Sequence, residues 1–215
     1  DVEAAERLGI QVTNAADANS GSVAEFTLGL ILSLAKKLPQ SRDGLRKEGW
    51  SIRPQITTFD LEGKTLGVLG MGRIGTAVAR KASYGFGMKV LGYRRNLPGD
   101  ICADYGILTS DLDKVIRNSD FLSIHLPYTK DTFHLVSCEK LELMKPDAYL
   151  LNLGRGEVVD QAALRELLLS NRLAGAALDV FEGEILDADD PLLHMDQVIA
   201  TPHIAGLSKQ AMERL

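Results

Sequence analysis

The segment 65–75 constrains the fold of this chain more than any other part of the sequence. It reads TLGVLGMGRIG: an apolar run leads into glycines spaced as Gly70-x-Gly72-x-x-Gly75, and a helix-like pattern follows over 74–86. A strand, a glycine-rich turn and a helix in this order form the site that a dinucleotide pyrophosphate requires. The alternative is a glycine-rich turn without a ligand, but the strand and helix around the glycines favour dinucleotide binding.

Each glycine of this fingerprint has its own expected role. Gly70 allows the tight turn, Gly72 lets the backbone approach the phosphates, and Gly75 lets helix and strand pack closely. Arg73 and Ile74 lie at the start of the predicted helix, whose free N–H groups point at the anion. We therefore expect these five residues to hold the pyrophosphate.

The bulk composition excludes several classes of protein. Of the 215 residues, 45% are hydrophobic and 25% are charged, as in ordinary globular proteins. The net charge of −5 gives no reason to expect nucleic acid or an anionic membrane as a partner, and no apolar run approaches the roughly 18 residues of a membrane span. Cys102 and Cys138 are unclustered, which predicts reduced thiols, no metal site and a cytoplasmic location.

From residue 65 onward, short apolar runs alternate with helical patterns. The predicted strands cover 65–69, 89–93, 121–125, 148–153, 175–180 and 197–200. The predicted helices cover 74–86, 110–118, 137–144, 160–170 and 208–215. Because the strand runs are continuously apolar, both faces of the sheet should be covered. The sequence thus predicts a doubly wound parallel α/β sheet of the Rossmann type.

The first 60 residues follow a different pattern. The run 9–13 is predicted to be a lone strand, and 23–38 a long helix that ends at Pro39. This helix is apolar almost all round, so we expect it to be buried on several sides and to contribute to a subunit contact. The segment 42–60, which holds Trp50, lacks periodicity and is predicted to be an extended arm or a long loop.

Polar residues directly after the later strands are the first candidates for chemistry. They are Arg155, Asp179, Glu184 and His203, and the carboxyl ends of parallel strands should bring them together at a ligand crevice. An arginine can hold a carboxylate through two hydrogen bonds, and a histidine beside a carboxylate can pass a proton near neutral pH. From spacing alone, Arg155 is also compatible with a surface turn, Glu184 with a solvated loop and His203 with a packed strand exit.

The remaining histidines are weaker candidates. His125 ends a strand just before Pro127, and we expect it to line the ligand cleft. His134 and His194 have the surroundings of surface residues.

Six motifs are spread along the chain. They are NSGSVAE at 19–25, the fingerprint at 70–75, HLPYT at 125–129, NLGRG at 152–156, GAALDVFEGE at 175–184 and TPHIAG at 201–206. Together they resemble the nucleotide-binding domain of the D-isomer-specific 2-hydroxyacid dehydrogenases, a family that includes glyoxylate or hydroxypyruvate reductases and phosphoglycerate dehydrogenases. The resemblance runs over essentially the whole chain.

The resemblance implies catalytic roles for three residues. The family's catalytic arginine lies in the NLGRG motif, its glutamate is the second acid after Asp-Val-Phe, and its histidine follows Thr-Pro; here these are Arg155, Glu184 and His203. Asp179 would contact the nicotinamide carboxamide. Ile185 departs from the family, which usually has proline after the glutamate, and this change would loosen the loop of Glu184.

The resemblance also implies a cofactor site that draws on several strand ends. Its residues would be Gly70, Gly72, Arg73, Ile74, Gly75, Arg94, Arg95, His125, Pro127, Thr132, Leu153, Gly154, Asp179, His203, Ala205 and Gly206.

The implied reaction is hydride transfer between a nicotinamide cofactor and a D-2-hydroxy acid or 2-keto acid. Arg155 would bind the carboxylate of the keto acid and polarise its carbonyl. His203, paired with Glu184, would give the carbonyl oxygen its proton, and would act as the base in the reverse direction.

The resemblance further implies the domain organisation. The chain divides into a hinge and incoming strand at 1–18, a dinucleotide-binding domain at 19–206 and the start of a return helix at 207–215, with the smaller substrate domain largely absent. The family forms homodimers through the region of the 23–38 helix and the arm. Because the residues that select the substrate lie mostly in the substrate domain, the sequence does not identify which 2-hydroxy or 2-keto acid is used.

The residues after the second predicted strand favour NADP over NAD. NAD-preferring relatives tend to carry an acid here to meet the ribose 2′-hydroxyl, but this chain has Arg94, nineteen residues after Gly75. A guanidinium can bind a 2′-phosphate or stack on adenine, and Arg95 would add a second phosphate contact. The alternative is that both arginines point to solvent and NAD is accepted.

Three other functions remain possible at this stage. A dinucleotide-sensing interaction protein, resembling the C-terminal-binding-protein corepressors, would share the fold and much of the triad. A degenerate cofactor-binding module without activity is a second possibility, although the intact triad argues against it. Some relatives oxidise phosphite or formate, but the formate type has a glutamine where Glu184 stands.

Overall fold

The chain folds around one parallel sheet. The computed structural model describes residues 2–13, 15, 17–95, 107–183 and 186–214. The strands are β1 (Thr65–Leu69), β2 (Lys89–Tyr93), β3 (Ile107–Thr109), β4 (Phe121–Ile124), β5 (Tyr149–Asn152), β6 (Gly175–Leu178) and β7 (Val198–Ala200). They pair in the order β3-β2-β1-β4-β5-β6-β7, all parallel. Because the order reverses between β1 and β4, the sheet is doubly wound, and the predicted fold class is confirmed.

The sequence predicts six of these seven strands and misses β3. This strand has three residues and pairs with β2 at the edge of the sheet. A run of three residues is too short for a hydrophobic pattern to reveal a strand.

Helices cover both faces of the sheet. The described helices are α1 (Val2–Arg7), α2 (Ser20–Ala35), α3 (Leu38–Glu48), α4 (Arg73–Phe86), α5 (Leu112–Asn118), α6 (Cys138–Leu141), α7 (Gln161–Leu169) and α8 (Lys209–Met212). Helices α2 and α4 enclose one core with Phe121 and Leu151, and α5, α6 and α7 enclose the other with Leu122 and Leu150. Every residue of β4 and β6 is buried, which explains the continuously apolar runs. None of the described helices combines the length and apolar character that crossing a bilayer needs.

The strand predicted at 9–13 is wrong. These residues follow α1 without forming a strand, and Ile10 and Val12 are more than half exposed. A strand needs a neighbour to take up its hydrogen bonds, and none of the seven described strands pairs with this segment.

The helix predicted at 23–38 has different ends in the structure. Helix α2 begins at Ser20 and ends at Ala35, and Lys37 then adopts a left-handed φ of +47°. Pro39 lies in the first turn of α3 instead of ending α2, because a residue with a fixed φ and no N–H suits that position. As expected, α2 is buried over much of its circumference.

The arm or loop predicted at 42–60 is largely helical. Helix α3 occupies its first part, and a 3₁₀ helix at Gly49–Gln55 continues it. Besides Pro39, helix α3 has only Leu38 and Leu45 as apolar residues, which is too few to show the period by which a helix is identified in a sequence.

Candidate active site

The site begins where the ends of β2, β1 and β4 lie side by side. The N–H groups of Gly70 and Met71 donate to the carbonyl of Tyr93 at 3.0 and 3.4 Å, and the N–H of His125 donates to the carbonyl of Leu69 at 2.8 Å. The glycine-rich turn is therefore held between the loops that follow β2 and β4. This is the switch point of the sheet, where ligands of such folds bind.

The three fingerprint glycines occupy different environments. Gly70 has a φ of +100°, and a Cβ there would lie 2.7 Å from the carbonyl oxygen of His125. A Cβ on Gly75 would lie 2.1 Å from the carbonyl oxygen of Gly70, so helix and strand approach too closely for any side chain. A Cβ on Gly72 would have no atom within 4 Å and would enter open space. The turn thus offers an open cradle, and this geometry fits a pyrophosphate.

The N-terminus of α4 is free to bind an anion. Gly72 is its N-cap, and no side chain caps this helix in the described part of the chain. The guanidinium of Arg73 pairs with the carboxylate of Asp17 at 2.7 Å, with both side chains mostly exposed. The uncapped N–H groups of the first turn, including that of Ile74, are the donors that a phosphate uses.

Both predicted ribose-site arginines follow directly after β2. Arg94 is exposed, and Arg95 pairs with Asp131 at 2.8 Å. Because the carbonyl of Tyr93 accepts from the glycine-rich turn, the structure brings these arginines beside the fingerprint.

The side chain of His125 is partly buried at the end of β4. Its Nε2 lies 2.8 Å from the hydroxyl of Ser123, and its buried Nδ1 has no partner among the described residues. Burial lowers the pKa of His125 to about 4, so the imidazole is neutral at pH 7. The backbone carbonyl of the same residue lies against Gly70, and an unpartnered buried nitrogen is a group that calls for a hydrogen-bond partner.

Thr132 shapes the loop that follows β4. Its hydroxyl donates to the carbonyl of Pro127 at 2.7 Å and accepts from the N–H of Thr129 at 2.8 Å. Thr132 is buried and Pro127 is exposed, so Thr132 holds the turn while Pro127 lies on its surface.

The side chain of Asn152 fixes the loop that carries Arg155. Its Oδ1 accepts from the N–H of Gly154 at 3.1 Å, and its Nδ2 donates to the carbonyl of Arg155 at 3.0 Å. Leu153 anchors the loop in the core, and a Cβ on Gly154 would lie 2.6 Å from the carbonyl oxygen of Leu126. The exposed guanidinium of Arg155 donates to the carbonyl of Gly154 at 2.7 Å.

The carboxylate of Asp179 holds the turn that carries His203. Asp179 is 1% exposed, and it accepts from the hydroxyl of Thr201 at 2.5 Å and from the N–H groups of Ile204 and Ala205 at 3.0 and 2.9 Å. His203 is exposed on this turn with a φ of +54°.

The loops that follow β5, β6 and β7 border one cavity of about 390 Å³. Arg155, Asp179 and His203 border it, and much of the remaining wall is apolar. The predicted convergence of residues after β5, β6 and β7 is therefore observed for three of the four candidates. Glu184 and its neighbour Ile185 lie outside the described residues.

The segment after His203 packs against the start of α2. A Cβ on Gly206 would lie 2.9 Å from the side-chain nitrogen of Asn19, and the hydroxyls of Ser22 and Ser208 are 2.6 Å apart. These contacts join the first and last of the six motifs.

Sequence reasoning missed two features of the site. Asn152 has a clear structural role, and its place in the NLGRG motif was the signal that could have revealed it. His134, predicted to lie on the surface, is only 30% exposed, and its Nε2 lies 2.9 Å from the carboxylate of Glu182. These two residues are 48 positions apart, so no local pattern could have paired them.

The fold and the site together define a Rossmann-type dinucleotide-binding domain with an arginine and a histidine at its crevice. The model of the D-isomer specific 2-hydroxyacid dehydrogenase NAD-binding domain matches residues 28–205. The chain therefore belongs to the D-isomer-specific 2-hydroxyacid dehydrogenase family, an enzyme family, as an NAD(P)-binding domain.

Individual relatives agree with this assignment. The chain is 42% identical over 214 residues to D-3-phosphoglycerate dehydrogenase of Methanocaldococcus jannaschii, in an alignment that covers 99% of this chain and 40% of the relative. Its structure is similar to that of D-lactate dehydrogenase from Aquifex aeolicus complexed with NAD and lactic acid, with a TM-score of 0.89, 37% identity, and coverage of 100% of this chain and 68% of the other.

A second solved structure carries the other nicotinamide cofactor. It is an acyclic imino acid reductase in complex with NADPH and D-Arg, with a TM-score of 0.87, 33% identity, and coverage of 100% of this chain and 67% of the other. The chain thus spans 40% of the phosphoglycerate dehydrogenase and about two thirds of each solved structure.

Proposed function

We propose that the protein is an oxidoreductase that transfers a hydride between a nicotinamide cofactor and a D-2-hydroxy acid or 2-keto acid. The observation that carries the proposal is the placement of Arg155 and His203 at one cavity, on the same edge of the sheet as the glycine-rich turn. The relatives support it, since one of the similar structures holds NAD with lactic acid.

Arg155 is proposed to bind the carboxylate of the acid. Its guanidinium is exposed while Asn152 fixes its backbone, so the charged group is presented from a rigid loop. A planar guanidinium forms two parallel hydrogen bonds to a carboxylate. This contact would place the adjacent carbonyl carbon at the crevice and polarise it.

His203 is proposed to be the acid–base group. Its imidazole would donate a proton to the carbonyl oxygen during reduction and take it back during oxidation. The nicotinamide, when bound, supplies or accepts the hydride. The family resemblance assigns Glu184 the role of orienting His203 and stabilising its cationic form, and the apolar wall of the cavity would exclude water.

The cofactor is proposed to be NADP. Arg94 is exposed beside the glycine-rich turn, and it stands where NAD sites present an acid to the ribose 2′-hydroxyl. A guanidinium there is suited to a 2′-phosphate. Arg95 would add a second contact once it is released from Asp131.

A homodimer in the cytoplasm is part of the same proposal. Leu38, Leu45 and Trp50, on α3 and the 3₁₀ helix, are about half or more exposed, and a subunit contact would cover this apolar surface. In the proposed organisation, residues 1–18 form the hinge, 19–206 the dinucleotide-binding domain and 207–215 the start of the return helix. The proposed substrate is a small 2-keto or 2-hydroxy acid, and no nucleic acid or membrane partner is proposed.

The other functions are not favoured. The relatives described above are named as dehydrogenases and a reductase, which supports neither a corepressor-like assembly protein nor phosphite or formate oxidation.

The proposal is tested by binding followed by turnover. The protein is titrated with NADPH and NADH at moderate salt, with fluorescence as the readout, and the whole protein is then assayed with glyoxylate, hydroxypyruvate and other 2-keto acids. We expect tighter binding of NADPH, lost in Arg94→Asp, and turnover of at least one 2-keto acid. Binding of neither nucleotide would contradict the cofactor site, and binding without turnover would contradict the reaction. Equal or better binding of NADH would contradict the assignment of NADP alone.

A further inference from the structure

One ion pair joins the two loops that flank the glycine-rich turn. Nη1 of Arg95 lies 2.8 Å from Oδ2 of Asp131, and Nη2 lies 3.5 Å from the carbonyl oxygen of the same residue. Arg95 follows β2 and Asp131 lies in the loop after β4. Because β2 and β4 pair with β1 from opposite sides, the pair reaches from one side of the dinucleotide cleft to the other.

The loop sets the position of Asp131. The N–H groups of Thr132 and Phe133 both donate to the carbonyl of Thr129 at 3.0 Å, and the hydroxyl of Thr132 donates to Pro127. The carboxylate therefore projects from a closed turn. The long side chain of Arg95 is the member of the pair that can move.

The pair is weak enough to be displaced by a ligand. Arg95 is 56% exposed and Asp131 is 69% exposed, and exposed ion pairs are screened by solvent and salt. A guanidinium has five N–H donors, so it can also serve a phosphate. A phosphate near Arg95 would, however, be repelled by the carboxylate of Asp131.

We propose that Asp131 is a residue that sets cofactor selectivity, because it occupies Arg95 and opposes a 2′-phosphate. The inference rests on the cofactor site of the proposed function. It adds Asp131 as a negative charge that opposes the positive charges of Arg94 and Arg95. With the carboxylate present, the guanidinium charges of Arg94 and Arg95 face the carboxylate of Asp131 in the described part of the ribose end. That balance permits NADH as well as NADPH.

The test is the removal of this carboxylate. Asp131→Asn keeps the shape of the side chain and removes its charge, and we expect it to lower the Kd for NADPH by about three- to tenfold at low salt. The Kd for NADH should change by less than about twofold, since a ribose hydroxyl carries no charge. The matched control is Asp60→Asn, which removes an exposed carboxylate paired with Lys36 just before β1, at the opposite end of that strand.

A second variant tests whether the gain in NADPH affinity acts through Arg95. In an Arg95→Gln background, Asp131→Asn should improve NADPH binding less than in the wild type, because part of its effect is the release of Arg95. Added salt should reduce the gain in either background.

The outcomes separate this inference from the proposed function. If the wild type binds both nucleotides and Asp131→Asn leaves the ratio of their Kd values unchanged, the selectivity role is overturned and the proposed function stands. An equal shift in Asp60→Asn would also overturn it. If the wild type binds neither nucleotide, the proposed cofactor site fails and this inference fails with it.

Discussion

Asp179 bonds to residues on both sides of His203. Its carboxylate accepts from the hydroxyl of Thr201 before the histidine and from the N–H groups of Ile204 and Ala205 after it. His203 itself has a φ of +54°, a conformation that is unfavourable by about 1–2 kcal/mol for a residue with a Cβ. The three hydrogen bonds offset this strain, so a buried carboxylate after β6 determines where an exposed imidazole after β7 stands.

Replacing the imidazole of His203 should abolish proton transfer without moving the turn. Asparagine tolerates the left-handed conformation better than alanine does, so His203→Asn separates the chemistry from backbone strain. We expect kcat to fall by about 10²- to 10⁴-fold with little change in the Kd of the cofactor. The control is His194→Asn, since His194 is exposed and contacts only the carbonyl of Ala188 among its described hydrogen-bond partners. Near-normal turnover in His203→Asn would contradict the acid–base role.

Neutralising Asp179 should loosen this turn. In Asp179→Asn one side-chain oxygen becomes an amide that cannot accept from the backbone, and we expect the free energy of unfolding to fall by about 2–3 kcal/mol. Denaturant unfolding measures the change. Asp160→Asn is the matched control: Asp160 accepts one bond from the N–H of Ala163 at the start of α7, and asparagine is an equally good N-cap. Similar losses in the two variants would contradict a special role for Asp179.

Two glycines of the fingerprint should respond differently to the same substitution. A Cβ at Gly75 would lie 2.1 Å from the carbonyl oxygen of Gly70, so Gly75→Ala should push α4 away from β1 and destabilise the protein by about 1–3 kcal/mol.

Gly72→Ala places its methyl group in open space, so the melting temperature should stay nearly unchanged. The same methyl group would obstruct the pyrophosphate, and we expect the Kd of the cofactor to rise by about tenfold or more. Thermal unfolding and fluorescence titration of Gly75→Ala and Gly72→Ala test these two predictions. If Gly72→Ala is stable and binds the cofactor normally, the proposed pyrophosphate site at Gly72 is contradicted.

Burial of His125 should make stability depend on pH in a defined window. Its pKa is lowered to about 4 in the folded state, from 6.5 in the unfolded chain. Between these values the unfolded chain binds more protons, so this contribution is complete above pH 6.5 and is lost as the pH falls toward 4. The loss amounts to at most about 3 kcal/mol.

His125→Gln keeps a side-chain hydrogen-bonding group for Ser123 and removes the titration. Its free energy of unfolding should therefore fall less steeply than that of the wild type over the same pH range, as measured by denaturant unfolding. His194→Gln, at an exposed histidine, should follow the wild-type curve. If the free energy of unfolding changes with pH in the same way for His125→Gln and the wild type, the pH dependence does not come from His125.

Most of the fold was predictable because it rests on local patterns. The glycine spacing at 70–75 and the apolar run before it predicted β1, the turn and α4. The predictions failed where a segment lacked its usual signal. The run at 9–13 pairs with none of the described strands, and α3 buries none of its residues.

The candidate site was predictable only in outline. Polar residues after parallel strands were expected to converge, and Arg155, Asp179 and His203 do border one cavity. The hydrogen bonds that Asp179 makes to the turn of His203 were not predictable, since side-chain direction depends on how β6 and β7 pack. The role of Asn152 required the path of the loop after β5.

The sequence by itself determined most of the strands and helices from β1 onward and their order, because hydrophobic period and glycine spacing act within a few positions along the chain. Only the tertiary structure decided which distant side chains meet. Arg95 and Asp131 are 36 positions apart, and His134 and Glu182 are 48 apart. Such pairs form because the sheet brings the loops after different strands to one edge. Their geometry depends on strand order and packing, and no local stretch of sequence contains that information.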